Sequence, residues 1–103
     1  LNGTKLPVTD GSHADTAIVL AKEGGTPTQY LVDLNGPGVT RTAIETLDRS
    51  RDAARIEFND APAERLGGVG EGLALFEAIN DRAAVLLAFE QLGGADMCLE
   101  MAK

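Results

Sequence analysis

Tryptophan is absent from these 103 residues, and three phenylalanines and one tyrosine are all the aromatic surface there is. Cations are scarce too: 9 lysines and arginines stand against 16 acids, for a net charge of −7. A surface with no basic patch and few rings to stack on excludes nucleic acid as a partner. No run of 18 apolar residues occurs, so no helical segment is long enough to span a membrane. Cys98 is the single cysteine, which excludes a disulfide framework and makes a reduced, cytoplasmic setting the default. His13 is the single histidine; with no second histidine or cysteine at ligand spacing, no metal site is expected. No initiator methionine or signal peptide opens the chain at Leu1, and the expectation is a piece of a longer protein.

What is present is one long uninterrupted pattern. From Gly70 to Ala102 no proline occurs, and Phe76, Ile79, Ala83, Leu86, Leu87, Gly94, Met97 and Met101 fall on one side of a 3.6-residue wheel. As one helix this stretch spans roughly 50 Å at 1.5 Å per residue. Its middle, Ala83–Phe89, is apolar at every position, the mark of a helix covered on several sides. The rest of the chain reads as strands and turns and cannot cover it. The pattern therefore predicts one helix of a bundle whose other helices lie elsewhere. A break at Gly93-Gly94 into two shorter helices is the other reading, since each glycine costs about 1 kcal/mol in a helix interior.

Before that stretch, apolar and β-branched runs alternate with turn residues. Lys5–Thr9 reads as an edge strand or the start of a bulge, because Pro7 removes a ladder donor. Thr16–Ala21, Gln29–Leu34, Val39–Ile44 and Arg55–Phe58 read as further strands. Asp10-Gly11-Ser12, Glu23–Thr26, Asn35-Gly36-Pro37-Gly38 and Asn59–Pro62 read as turns, with 47–52 a polar loop and 63–69 a connection. Four or five short strands at this spacing suggest an antiparallel sandwich or small barrel. The predicted class is α+β, a β-barrel or sandwich part followed by one long helix.

Few residues invite chemistry. Gly67-Gly68-Val69-Gly70-Glu71-Gly72 fails as a nucleotide loop, because Leu73 stands where the third glycine is needed and no Walker lysine follows. Its amides precede a helix and could hold an anion; a flexible joint is the better reading. His13 reads as a solvated turn residue, and Ser12 beside it does not make a triad. Glu90 sits in the centre of the apolar stripe, where a carboxylate must be paired or protonated. It reads as a structural acid meeting an arginine of a neighbouring helix, in preference to a catalytic acid.

The order of these segments resembles a family. Leu1-Asn2-Gly3-Thr4-Lys5, then Val8-Thr9-Asp10-Gly11 with Ala14-Asp15, then Tyr30-Leu31-Val32-Asp33 with Pro37-Gly38-Val39, then Ile56–Pro62, and Gly70-Glu71-Gly72 leading to Asp81-Arg82, together resemble the acyl-CoA dehydrogenases. Gly93-Gly94-Ala95, Leu99 and Ala102 extend the match through the helix. The resemblance implies that residues 1–64 are the later part of a middle β-barrel domain, 65–69 a linker, and 70–103 the first helix of a C-terminal four-helix bundle.

It further implies a flavoprotein, cytoplasmic and oligomeric, that oxidises the Cα–Cβ bond of acyl-CoA thioesters to the trans-2-enoyl-CoA in fatty acid or steroid side-chain β-oxidation. FAD is its cofactor and an electron-transferring flavoprotein or another acceptor takes the electrons. Thr9 falls where the family places a threonine beside the flavin ring, with Val8 and Pro7 flanking it, and Asp81 falls in the segment lining the acyl-CoA channel. Proline at position 7 replaces an aromatic residue common in the family, and Ala84 replaces an arginine. Ala83 occupies one of the family's positions for the catalytic glutamate and cannot be a base, so no catalytic residue is expected in this stretch, and the stretch alone is expected to hold no FAD and to be inactive. The resemblance implies a homo- or hetero-oligomer, a dimer or tetramer; the alternatives to the active enzyme are a non-catalytic acyl-CoA dehydrogenase-like subunit of a hetero-oligomer, and a flavin-free β binding or structural module.

Overall fold

The chain is described from a computed structural model covering residues 1–48 and 50–103. Six strands occur among the described residues: β1 (Gly3–Thr9), β2 (Thr16–Glu23), β3 (Thr26–Asp33), β4 (Val39–Ile44), β5 (Ala53–Phe58) and β6 (Glu64–Leu66). One helix, α1 (Gly72–Ala102), follows them. The strands make two antiparallel three-stranded sheets, ordered β1-β5-β4 and β2-β3-β6. This is the expected α+β arrangement. The loop expected over 47–52 includes Arg49, which lies outside the described residues.

Local chemistry explains the joints. Gly24 and Gly25, both at positive φ, let β2 turn straight into β3, with Glu23 opposite Thr26. Asp33 closes the next turn, its carboxylate accepting from the Asn35 amide at 2.8 Å. Gly38 ends that turn at φ +75, and a Cβ there would stand 2.2 Å from the Asn59 carbonyl oxygen. Only glycine fits. In β1, Lys5 faces Ile56 and Val8 faces Ala54, so three steps on β1 match two on β5. The extra residue is a bulge at Leu6-Pro7, where the proline has no N–H to give.

The core lies between the two sheets. Val19 and Val32 come from one sheet and Ala54, Ile56 and Phe58 from the other, with Leu34 and Ala61 closing the ends. β5 contributes most because it is the middle strand of its sheet, bonded on both sides.

One finding departs from the sequence reading. The connection expected over 63–69 contains β6, which pairs Glu64, Arg65 and Leu66 with Leu31, Tyr30 and Gln29. Three residues are too few to show a period, and the neighbouring strand supplies the partner. The helix runs through Gly93 and Gly94 without a break, as the single-helix reading expects. Its only buried residue is Gly72. Val85, Leu86, Leu87, Phe89, Leu92 and Met97 all stand exposed, so the apolar middle of α1 has no cover within this chain.

Candidate functional site

The bulge in β1 has a consequence for the residues after it. β1 and β2 are edge strands of separate sheets, and they border an open cleft of about 380 Å³. Pro7, Val8 and Thr9 line one side, Ala17–Leu20 the other, and Phe76 reaches in from α1. Ile56 and Phe58 form its floor. Pro7 and Thr9 are exposed and Val8 is half-buried.

Thr9 ends β1 opposite Ala53. Backbone hydrogen bonds close the turn that follows without the Thr9 hydroxyl. The Gly11 amide donates to the Val8 carbonyl at 3.2 Å, and the His13 and Ala14 amides donate to the Asp10 carbonyl at 3.1 and 2.9 Å. The Asp10 amide donates to the Asp52 carbonyl at 3.0 Å. Among the described residues no hydrogen bond engages the Thr9 hydroxyl, so it is available to something else.

Arg41 holds this turn from β4. Its Nη1 donates to the carbonyls of Gly11, Ser12 and Ala14 at 3.5, 3.3 and 2.9 Å, and its Nη2 to Asn35 Oδ1 at 2.6 Å. Asn35 in turn donates to Asp15 Oδ1 at 3.0 Å. Sequence reading passed over Arg41, because an arginine in an alternating strand looks like an ordinary solvated position.

His13 does not pair with its sequence neighbour Asp15. Its Nδ1 lies 3.0 Å from Asp52 Oδ2, which also accepts the Ser12 amide at 3.2 Å. The side chain of His13 is 83% exposed, in keeping with a solvated turn histidine. The Ser12 side chain, first, holds the Asp52 carboxyl below the usual carboxylate range; desolvation opposes it, and His13 and the Ser12 amide add to the lowering. The Ser12 hydroxyl forms no proper hydrogen bond with Asp52, since Ser12 Oγ and Asp52 Oδ1 are both buried without partners. No hydrogen bond joins Ser12 Oγ to His13, so this cluster is not a nucleophile relay.

The glycine-rich joint before α1 is occupied by its own acid. Glu71 Oε2 accepts the Gly68 amide at 2.7 Å, which places a carboxylate of the chain where an outside anion would have to sit.

No protein-family model matches the sequence. Among solved structures, a glutaryl-coenzyme A dehydrogenase in complex with glutaryl-CoA superposes over 69% of this chain and 20% of its own length, with a TM-score of 0.61 and 18% identity. A glutaryl-CoA dehydrogenase from Mycobacterium smegmatis in complex with FADH2 covers 68% of the chain and 18% of its own length, with a TM-score of 0.56 and 30% identity. The chain has the fold of these acyl-CoA dehydrogenases and is similar in sequence to one of them. It spans about a fifth of the length of the family structures it matches.

In this chain the expected site residues fall in two places. Pro7, Val8 and Thr9 lie together on the cleft wall. Asp81 is exposed on α1, beyond Phe76, and does not line the cleft. Glu90 is paired, as expected of a carboxylate in an apolar stripe, but its partner is Arg51 of the β4–β5 connection and not a helix residue. The Arg51 Nη2 to Glu90 Oε1 distance is 2.5 Å, and both side chains are about half exposed. That hydrogen bond, and the charge behind it, raise the Arg51 guanidinium above its already high range.

Proposed function

We propose that the parent protein is an FAD-dependent acyl-CoA dehydrogenase, to which residues 1–64 contribute the later part of a β-barrel, 65–69 a linker and 70–103 the first helix of a bundle. The observation that carries this reading is Thr9: an exposed threonine at the end of an edge strand, its hydroxyl unspent because the backbone closes the turn after it. The residues here fit a flat ring system. Pro7 offers surface without a donor, Val8 offers apolar contact, and Thr9 offers a hydroxyl that β-branching keeps in few rotamers. FAD supplies the hydride acceptor for the β-carbon of the thioester. Thr9 would donate to the ring and stabilise the negative charge that builds there. The base that takes the α-proton lies outside these residues, and an electron-transferring flavoprotein or similar acceptor takes the electrons away.

The unpartnered middle of α1 supports the bundle assignment, because its apolar residues need cover that this chain does not hold. Asp81 is proposed to face the acyl-CoA channel from the same helix. A non-catalytic subunit within a hetero-oligomer is the second reading, favoured by Pro7 and Ala84 in place of the aromatic residue and the arginine.

Stopped-flow reduction of the full-length protein by acyl-CoA tests both. Thr9→Ala is expected to slow flavin reduction by roughly 1–3 kcal/mol in activation free energy while leaving thermal stability unchanged. An unchanged rate with lowered stability removes Thr9 from the site. A purified homo-oligomer that holds flavin but turns over no acyl-CoA against a dye acceptor supports the non-catalytic reading.

A further inference from the structure

The chain reverses at Asp10, whose φ of +57 lies in the left-handed region that a residue with a Cβ enters at a cost. Thr9 stands immediately before it, so the peptide that leaves Thr9 keeps its orientation only while the turn is held. Gly11 folds back onto β5, where a Cβ would stand 2.9 Å from the Val8 carbonyl oxygen and 3.0 Å from the Ala54 Cβ.

Two residues hold this turn, and they divide its backbone between them. Arg41 serves the carbonyls of Gly11, Ser12 and Ala14. Asp52 serves the amides. Its carbonyl accepts the Asp10 amide at 3.0 Å, which adds one rung to the β1–β5 ladder beyond the Thr9–Ala53 pair. Its Oδ2 accepts the Ser12 amide at 3.2 Å and meets His13 Nδ1 at 3.0 Å. Asp52 directly precedes Ala53, the register partner of Thr9. One residue thus fixes the turn at three points, from the strand with which Thr9 is paired. The His13 ring is exposed and its contact adds little. The Ser12 amide is half-buried, where water competes less, and is the firmer hold.

We propose that Asp52 is a positioning residue for Thr9: its carboxylate locks the Asp10–Ser12 turn against β5 and thereby fixes the direction of the Thr9 hydroxyl on the cleft wall. This role rests on the reading that Thr9 donates to a flavin ring. Asp52 itself is not on the cleft wall, so it acts on the reaction without touching cofactor or thioester. Arg41 does something different, because its fork ties the same turn to Asn35 and so to the connection before β4.

The test uses the full-length protein and reads backbone protection and flavin reduction separately. Asp52→Ala removes the carboxylate and keeps the backbone carbonyl. It leaves no unpaired charge and takes away the buried, unpartnered Oδ1, so the fold and melting temperature are expected to hold. Amide exchange at Ser12 and His13 is expected to speed up, with exchange in β2 and β3 unchanged. Reduction of the flavin by acyl-CoA is expected to slow by about tenfold, with the affinity for acyl-CoA unchanged. In the Thr9→Ala background the same substitution is expected to cost no further rate, because an effect passed through the hydroxyl ends when the hydroxyl is gone. Asp52→Asn keeps an oxygen for the Ser12 amide and is expected to restore both the protection and most of the rate. Unchanged exchange at Ser12 in Asp52→Ala overturns the hold. Additive losses in the double variant overturn the route through Thr9. An Asp52→Asn form that regains protection but not rate makes the effect one of charge and overturns positioning too. If Thr9→Ala alone leaves reduction unchanged, the flavin reading falls and the positioning role with it. If Thr9→Ala slows reduction and Asp52→Ala does not, the flavin reading stands and only the positioning role falls.

Discussion

Gly72 and Thr28 are in backbone contact: a Cβ on Gly72 would stand 2.7 Å from both the nitrogen and the Cα of Thr28, and 2.7 Å from the Pro27 carbonyl oxygen. The first turn of the helix lies flush on β3, and only a residue without a side chain permits it.

Gly72→Ala sets two effects against each other. Alanine favours the helix by about 1 kcal/mol over glycine. The clash is with backbone atoms of a paired strand, which cannot rotate away, and overpacking of this kind costs about 1–3 kcal/mol. The expected outcome is a net loss of stability and a displaced helix start, measured as a lower denaturation midpoint and faster amide exchange at Thr28 and Gln29. A gain in stability would show that the helix can lift off β3 freely.

Arg41 donates to four oxygens, three of them carbonyls of the turn after Thr9. Charged hydrogen bonds of this kind contribute about 1.5–3 kcal/mol where they replace water well. Arg41→Ala is expected to speed amide exchange across Gly11–Asp15 more than in β2 or β3. Arg41→Lys is expected not to restore protection, because one ammonium cannot span the planar fork that reaches both the carbonyls and Asn35. Equal exchange in the wild-type and alanine forms would remove the clamp.

The Tyr30 hydroxyl donates to Glu23 Oε2 at 2.7 Å, and Arg65 approaches the other carboxylate oxygen at 3.4 Å. The hydrogen bond to Glu23, helped by desolvation and the carboxylate charge, raises the phenol above its ordinary value, while Arg65 works the other way. A raised folded-state pKa favours the neutral phenol. Its contribution to stability is fully present below the unfolded value near 10 and is lost as pH rises through the folded value. Ultraviolet titration of the wild type minus Tyr30→Phe should show a phenol ionising above pH ~10, and Glu23→Gln should bring it back down. A phenol that ionises at its ordinary value in both would show that the contact does not persist in solution.

The strands were legible where a pattern had room to repeat. Val39–Ile44 was readable residue for residue, and Asn35–Gly38 announced its own turn. β6 was hidden because three residues carry no period, and its partner lies more than thirty positions upstream. The threonine end of β1 was legible by resemblance, but that its hydroxyl is free emerged only when the backbone closure of the next turn was seen. Glu90 was marked as needing a partner; no local spacing points to Arg51, 39 residues away. Contacts fixed by tertiary approach, such as His13 with Asp52 and Arg41 with three carbonyls, leave no trace in a sequence window.

The pairing of β1 with β5 also fixes an order in time. Gly3 finds Phe58 across 55 intervening steps, while Glu23 and Thr26 meet across three. Closing the longer loop costs roughly 2–3 kcal/mol more in chain entropy. The β2–β3 hairpin can therefore form as soon as it leaves the ribosome, whereas β1 cannot pair with β5 until β5 has been made. Thr9, the residue nearest the proposed chemistry, sits on a strand that is made before β5 and pairs with it late. Substitutions in the hairpin, such as Val19→Ala, should slow folding, and Ile56→Val in β5 should mainly speed unfolding; the reverse pattern in folding kinetics would contradict that order.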